Sequence, residues 1–382
     1  MPISTPVVRW PRRSAIAAAV AALVTAGAVA GCGSDDNSSS SSSGGNTSAA
    51  VSEAQQIMKE GTTRPTEITV KKPVGKDIPS GKKLVFISCG TSSCQLQGDI
   101  IKEAASHLGW TSQTIATDGS PAQIQNGFTT ALRNGADAII ANAQTREGIA
   151  TQLAATKAKG VAYVGCCSTD KVGGGYLYNT STPEQNAKIG RYLAAAIATD
   201  AGGKDANTLY VDIPAFTILG ALGDSFKKDY ERLCDGCQYA KIDVAVPQLA
   251  NAPNTIVSYL RSHPDTKYVA LSVTDALGTG LPAALKAASL NDIKIVGQGG
   301  DPTSFQALAQ GQMLALVPFD FFDVDYQMVD ALARHFAGPP IEHTAPPLWM
   351  ITKDNLPSDY TKLFPNVESY KDQFLKLWGK GA

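Results

Sequence analysis

The chain of 382 residues is short of the side chains that do most chemistry at neutral pH. It has four histidines, and none stands near a cysteine pair, which argues against a zinc site. It has no excess of either charge, with 33 Lys and Arg against 34 Asp and Glu, and no basic stripe, so nucleic acid is excluded as a partner. No Gly-x-Ser-x-Gly nucleophile elbow occurs, and Ser88 has no partnered histidine at a strand end. The run Gly173-Gly174-Gly175 lacks the Lys-Ser/Thr ending of a phosphate-binding loop and reads as a hairpin or loop. Beyond the first thirty residues there is no apolar run long enough to cross a bilayer. These absences leave a non-enzymatic protein with no cofactor and no metal as the expectation.

The N-terminus supplies the first positive signal. Arg9, Arg12 and Arg13 precede an apolar stretch at 15–30, too short for a comfortable membrane span. It ends in Val29-Ala30-Gly31-Cys32, which resembles the bacterial lipobox, where the cysteine is lipidated and becomes the mature N-terminus. The competing reading is an ordinary cleaved signal with an incidental cysteine. Residues 1–31 are thus expected to be an export signal, with Cys32 as the lipid attachment on the outer face of the cytoplasmic membrane. The next stretch is rich in Ser, Gly and Asn and cannot bury a core, so residues 32–81 are expected to serve as a flexible tether, with at most a short helix at 51–60. Outside the cell the remaining cysteines meet an oxidising environment.

From residue 82 the chain alternates strand and helix. Residues 84–88 are a run of β-formers suited to a strand buried on both faces. Leu96, Ile100, Ile101, Ala104, Ala105 and Leu108 then form one helical stripe. Further strands are expected at 112–116, 136–142 and 161–165, with helices at 121–133, 146–159 and 183–199. A second series follows, with strands at 209–213, 239–246, 268–272, 293–297 and 313–317, and helices at 222–233, 253–262, 276–288 and 303–310. This pattern calls for parallel sheets covered by helices on both faces. The two series share a layout: a helix, a breaker group (Arg133-Asn134-Gly135 or Arg261-Ser262-His263-Pro264), an Asp, then a buried strand. Two facing α/β lobes would bring both sets of strand ends to one cleft, where ligands of parallel sheets bind.

The second half reads Gly223-Asp224-Ser225-Phe226-Lys227, Thr274-Asp275-Ala276-Leu277-Gly278, Ile295-Val296-Gly297-Gln298-Gly299-Gly300, Ala309-Gln310-Gly311-Gln312, the stretch Tyr326–Leu332, and Ile351-Thr352-Lys353-Asp354-Asn355. In this order and spacing it resembles the type I periplasmic binding proteins, the ribose-binding-like receptors of bacterial ABC importers, over about residues 82–360. The resemblance implies two Rossmann-like lobes joined by a three-segment hinge, with crossings near 179–183, 317–322 and 346–351. Lobe one would be 82–181 plus 320–347, and lobe two 182–319 plus 348–382. It implies a monomer that traps a small solute and hands it to a membrane permease. A receptor serving a membrane signalling protein is the second reading, and an exported thiol oxidoreductase or hydrolase the third. The chain departs from the sugar-binding members at several points. Cys166-Cys167-Ser168-Thr169 replaces an Asp-bearing turn, Ala221-Leu222-Gly223 lacks an Arg, Thr274 stands for Asn, Gly299 for Asp, and Phe319 for a polar residue. Carboxylates and Arg grip hydroxyls through charged hydrogen bonds, so their loss points to a less polar ligand, aromatic or a modified sugar.

Candidate ligand contacts are the polar residues at strand ends: Ser88, Cys89, Thr91, Ser92, Asn142, Gln144, Ser168 and Thr169 in lobe one, and Phe216, Thr217, Thr274, Asp275 and Gln298 in lobe two. Phe319 and Asp320 at the middle crossing could stack on a flat ligand and accept its hydrogen bonds. The competing reading for each is ordinary turn chemistry or hinge packing, with Asp275 a helix N-cap. Among the six later cysteines, Cys89–Cys94 and Cys234–Cys237 are read as short structural disulfides, and the adjacent pair Cys166 and Cys167 is left open. The rival for Cys234-Asp235-Gly236-Cys237 is a redox site. The motif follows a helix and contains Gly, which reads as a helix end instead.

Overall fold

The strands are parallel, and all but those at 111–115 and 239–243, the polar edges, are mostly buried and must be covered on both faces. β1 (Lys83–Ile87), β2 (Thr111–Ile115), β3 (Ala138–Ala141), β4 (Ala162–Cys166) and β5 (Tyr176–Thr180) form one sheet in the order β2-β1-β3-β4-β5. β6 (Thr208–Asp212), β7 (Tyr239–Asp243), β8 (Tyr268–Leu271), β9 (Lys294–Gln298) and β10 (Met313–Val317) form a second, in the order β10-β9-β8-β6-β7. Renumbered from its own first strand, the second order is the first read backwards, so the duplication seen in the sequence is a duplication of topology. The computed structural model describes residues 43–88 and 92–381. The expectations at Cys32, Cys89 and Thr91, and those for the side chains of Ser92 and Cys94, lie outside the described residues.

The helices are α1 (Ser43–Thr62), α2 (Ser92–His107), α3 (Pro121–Arg133), α4 (Ala150–Ala158), α5 (Pro183–Ala201), α6 (Leu219–Leu233), α7 (Ala252–Ser262), α8 (Thr274–Leu277), α9 (Leu281–Ala287), α10 (Pro302–Ala309), α11 (Phe321–Ala337) and α12 (Tyr370–Leu377). The period of two places Leu84 and Phe86 in the core shared with α2 and α11, and Val85 and Ile87 in the core under α3 and α4. The second sheet is packed into a separate core with α5 and α6. The expected fold class, two α/β lobes with parallel sheets, is what the chain adopts.

Several local expectations need correction. Strand β5 was absent from the sequence reading. Gly173-Gly174-Gly175, all with positive φ, turn the chain through a bridge between Gly173 and Tyr176 and deliver Tyr176 and Tyr178 to the sheet. The single helix expected over 276–288 is two, because Gly280 has φ 78 and Pro282 opens α9. The strand expected to reach residue 246 stops at Asp243, and a 3-10 turn (Val246–Asn251) with Pro near its start follows.

The folded body also begins well before residue 82. Ala54 and Ile57 of α1 are buried in the second-lobe core, and Ile68, Val70, Val74 and Ile78 are buried in the first. The tail at 348–382 divides in the same way. Trp349, Met350 and Ile351 belong to the second core, but Val367, Tyr370, Phe374 and Trp378 belong to the first, where Trp378 stacks on Tyr326 at 5.6 Å. The chain therefore passes between the cores at about 63–67 and 364–367, in addition to the three crossings expected. Arg64 joins the two extra passages. Its Nε donates to Asn366 O at 3.0 Å, its second amino group to Pro365 O at 3.1 Å, and its guanidinium lies 4.7 Å from the Trp349 ring centroid.

Candidate functional site

In both sheets the strand order reverses direction between the first and third strands, β1/β3 and β6/β8. Side chains after these carboxyl ends are where an open parallel sheet receives a ligand. The chain leaves the first sheet from the end of β5 and the second from the end of β10 to cross between lobes. All strands being parallel, both carboxyl edges lie on the crossing side.

At the first edge Ser88 and Asn142 are buried side by side in sequence register, after β1 and β3. Asn142 Nδ2 donates to Gln97 Oε1 at 3.1 Å, Gln97 Nε2 donates to Asp325 Oδ1 at 2.9 Å, and Asn142 Oδ1 has no partner among the described residues. Gln144 is half-buried and spends its amide on Asn142 O at 2.9 Å. Ser168 is buried and bonded to Asp170, and Thr169 is exposed. Three neighbouring strand ends turn through a left-handed residue that is not glycine: Ala143 (φ 57), Cys167 (φ 65) and Ser181 (φ 59). Such conformations are costly and persist where the surroundings hold them, here by Ala143 N–H to Cys166 O (2.9 Å) and Cys167 N–H to Thr180 O (3.1 Å). The sulfurs of Cys166 and Cys167 are paired with each other in the structure.

At the second edge Thr274 is fully buried against Gly297, where a Cβ would come within 2.2 Å of its hydroxyl. Ser272 Oγ and Thr274 Oγ1 have no partner among the described residues. Asp275 is not the N-cap of α8. That position falls to Val273, and Asp275 sits in the first turn, where its charge still suits the helix end. Gln298 is buried at the end of β9, and Gly299 (φ 92) passes so close to Asp275 that a Cβ there would lie 3.0 Å from its Oδ1. Phe216 is half-buried against the core and Thr217 is exposed. The fold thus gathers Thr274, Asp275 and Gln298 at one edge, and Ser88, Asn142, Gln144 and Ser168 at the other. Cys234 and Cys237 are paired at the C-terminal end of α6, with Cys234 buried.

The middle crossing carries a different arrangement from the one expected. Asp320 is the N-cap of α11, its Oδ1 accepting from Asp323 N–H at 3.2 Å and its Oδ2 from Asn366 N–H at 2.9 Å. Both oxygens are therefore engaged in backbone hydrogen bonds at this crossing. Phe319 packs against Phe321 at 4.9 Å and against the first core. Sequence reading missed Gln97, Ser272 and Asp325. Gln97 was legible as a polar residue beside the apolar stripe of α2. Ser272 reads from the sequence as the last residue of a strand, and Asp325 stands just before the stretch Tyr326–Leu332 with no local sign of its burial.

The acids of α11 set a pH dependence. Burial raises Asp320 to about 6, against the backbone N–H groups that lower it. Burial also raises Asp323 and Asp325 well above the ordinary carboxylate range, only partly offset by hydrogen bonds from Gln327 and Gln97 respectively. Each folded value lies above that of the unfolded chain, about 3.9. Between the two, the folded state holds more protons, so these groups cost stability as pH rises through their folded values. Asp325→Asn keeps the acceptor for Gln97 and cannot ionise. It is expected to match wild type in urea midpoint near pH 4 and to exceed it at pH 8. A variant that is equal or less stable at pH 8 would refute the assignment.

Comparison with solved structures finds the same fold. The glucose-galactose binding protein GanP of Geobacillus stearothermophilus aligns over 73% of this chain and 100% of its own, with TM-score 0.65 and 18% identity. The binding protein component of the arabinose ABC transporter from Shewanella sp. ANA-3 aligns over 78% and 98%, with TM-score 0.64 and 17% identity. The Caulobacter myo-inositol binding protein aligns over 74% and 96%, with TM-score 0.63 and 15% identity. No curated protein sequence matches the chain. A family model described as the periplasmic binding protein domain matches residues 85–340, two thirds of the chain, and the protein belongs to that family.

Proposed function

We propose that the protein is the solute-binding lipoprotein of an ABC importer, a non-enzymatic receptor that captures a small sugar-like or less polar ring compound between its lobes and delivers it to the permease. The observation that carries this reading is the pair of duplicated carboxyl edges, each holding buried polar atoms without a partner among the described residues: Asn142 Oδ1 on one, Ser272 Oγ and Thr274 Oγ1 on the other. A buried acceptor left unpaired costs about 1–3 kcal/mol, a cost that a bound hydroxyl or amine would relieve. The proteins of like fold bind arabinose, glucose or galactose, and myo-inositol by their names, which supports a carbohydrate-like guest. The missing Asp and Arg positions support one with fewer hydroxyls to grip. Ser88, Asn142, Gln144, Ser168, Thr274, Asp275 and Gln298 are the residues proposed to meet it. We also propose that the chain acts as a monomer outside the cytoplasm, held at the membrane by lipid on Cys32.

A thermal-shift screen of the full chain against sugars, polyols and aromatic metabolites tests the reading. A ligand at a hundredfold its dissociation constant should add about 2.7 kcal/mol, and Asn142→Leu or Thr274→Val should remove most of that gain. Stabilisation by none of these classes would reject solute capture. In cell fractions, Cys32→Ser should leave the protein outside the membrane; retention there would reject the lipid anchor.

A further inference from the structure

Resting on the proposal that the carboxyl edges receive a solute, we infer that the Cys166–Cys167 disulfide is an apolar ledge of the site that selects a ring ligand with an unhydroxylated edge, a 6-deoxyhexose being the simplest. Cys166 is the last residue of β4 and is 1% exposed, whereas Cys167 keeps part of its surface open beyond the strand. A bond between adjacent residues closes both side chains into one small ring with no rotamer to lose. The bonds from Ala143 N–H to Cys166 O and from Cys167 N–H to Thr180 O fix its backbone to the neighbouring strand ends. Cys166 is part of the first-lobe core and Cys167 packs against it. Its sulfurs are polarizable and apolar and cannot donate a hydrogen bond once joined.

The neighbours give the ledge a direction. β4 pairs with β3, so the disulfide lies one strand away from Asn142, whose Oδ1 is buried and unpartnered among the described residues. On the other side Asn179 Nδ2 is consumed by Ser168 O at 2.8 Å. A ring could therefore place a hydroxyl against Asn142 and its bare edge against the sulfurs. A hydroxyl set on the sulfurs instead would leave water and find no good partner, which is the physical basis for selection.

Matched sugars differing by one oxygen test this: L-fucose against L-galactose, and L-rhamnose against L-mannose, titrated calorimetrically into the full chain. In the oxidised protein the deoxy member of at least one pair should bind about fivefold tighter, the worth of one buried methyl-sized group. In Cys166→Ser/Cys167→Ser that ratio should fall toward one while the hydroxylated sugar still binds. Phosphine reduction of the folded wild type, with thiols counted, gives the same reading should the double variant fail to fold. Cys234→Ser/Cys237→Ser should leave the ratio unchanged. Binding whose ratio survives both loss and reduction of the Cys166–Cys167 bond overturns the ledge and leaves solute capture standing. No binding by these four sugars, D-glucose, L-arabinose or myo-inositol overturns the carbohydrate reading and the ledge together.

Discussion

Arg334→Ala should cost the folded protein about 3–5 kcal/mol, the usual loss when one member of a buried ion pair is removed. Arg334 and Asp330 are 1% and 2% exposed, one turn apart on α11, with Nε to Oδ2 at 2.6 Å. Burial pushes Asp330 up and the guanidinium pulls it back, so the carboxylate depends on its partner to stay ionised. The pair also ties in distant chain. Arg334 donates to Lys72 O, and Trp378 Nε1 donates to Asp330 Oδ1 at 2.9 Å. Glu342 lies 3.4 Å from the same guanidinium and accepts from Lys72 N–H at 2.8 Å, so the N-terminal passage and α12 are both fastened to α11 by this cluster of charges. Removing Arg334 leaves a carboxylate buried with only an indole N–H, and loosens both attachments. Urea unfolding at pH 7 measures the loss. An apolar replacement of both, Arg334→Met with Asp330→Leu, should recover much of it, because the cost lies in the orphaned charge more than in the absence of the pair. A single-variant loss under about 1 kcal/mol would mean that water reaches Asp330.

Gly190→Ala is the second large expected effect, about 3 kcal/mol or more at the upper end of overpacking costs. α5 and α6 approach so closely at Gly190 that an added Cβ would lie 2.2 Å from Leu222 O and 2.8 Å from Phe226 N. Both obstacles are backbone, so no rotamer change can relieve them. The helices must separate, and the core around Ile189, Leu193, Phe226 and Tyr230 opens with them. Gly220→Ala, on the same α6 but with nothing within 4 Å of the new Cβ, is the control. It should be neutral or stabilising by up to about 1 kcal/mol, the helix-propensity difference. Equal melting temperatures for the two variants would refute the close approach.

Much of the fold was written in local pattern. Alternating apolar runs and helical stripes need only nearest neighbours along the chain, and they specified two series of strands and helices, hence parallel sheets and a duplicated topology. The strand-end positions followed, and with them Ser88, Asn142, Ser168, Thr274 and Gln298, which do lie at the carboxyl edges. Gln97, Ser272 and Asp325 were not read, because their importance comes from burial against partners far away: Gln97 meets Asp325 across 228 residues. Asp320 was read as free to accept from a ligand because nothing near it in sequence reveals that Asn366 N–H takes one of its oxygens.

The sequence by itself determined most of the stretches that become strands and helices, that the series repeats, and which polar residues end the strands, since these rest on periods of two and 3.6 and on turn residues. Tertiary structure alone decided that α1 returns to the second core, that the tail returns to both, and that β5 joins the first sheet. Each of these depends on which surfaces remain uncovered once the two sheets have formed. Uncovered apolar area is a property of the assembled body, and no stretch of the chain carries it alone.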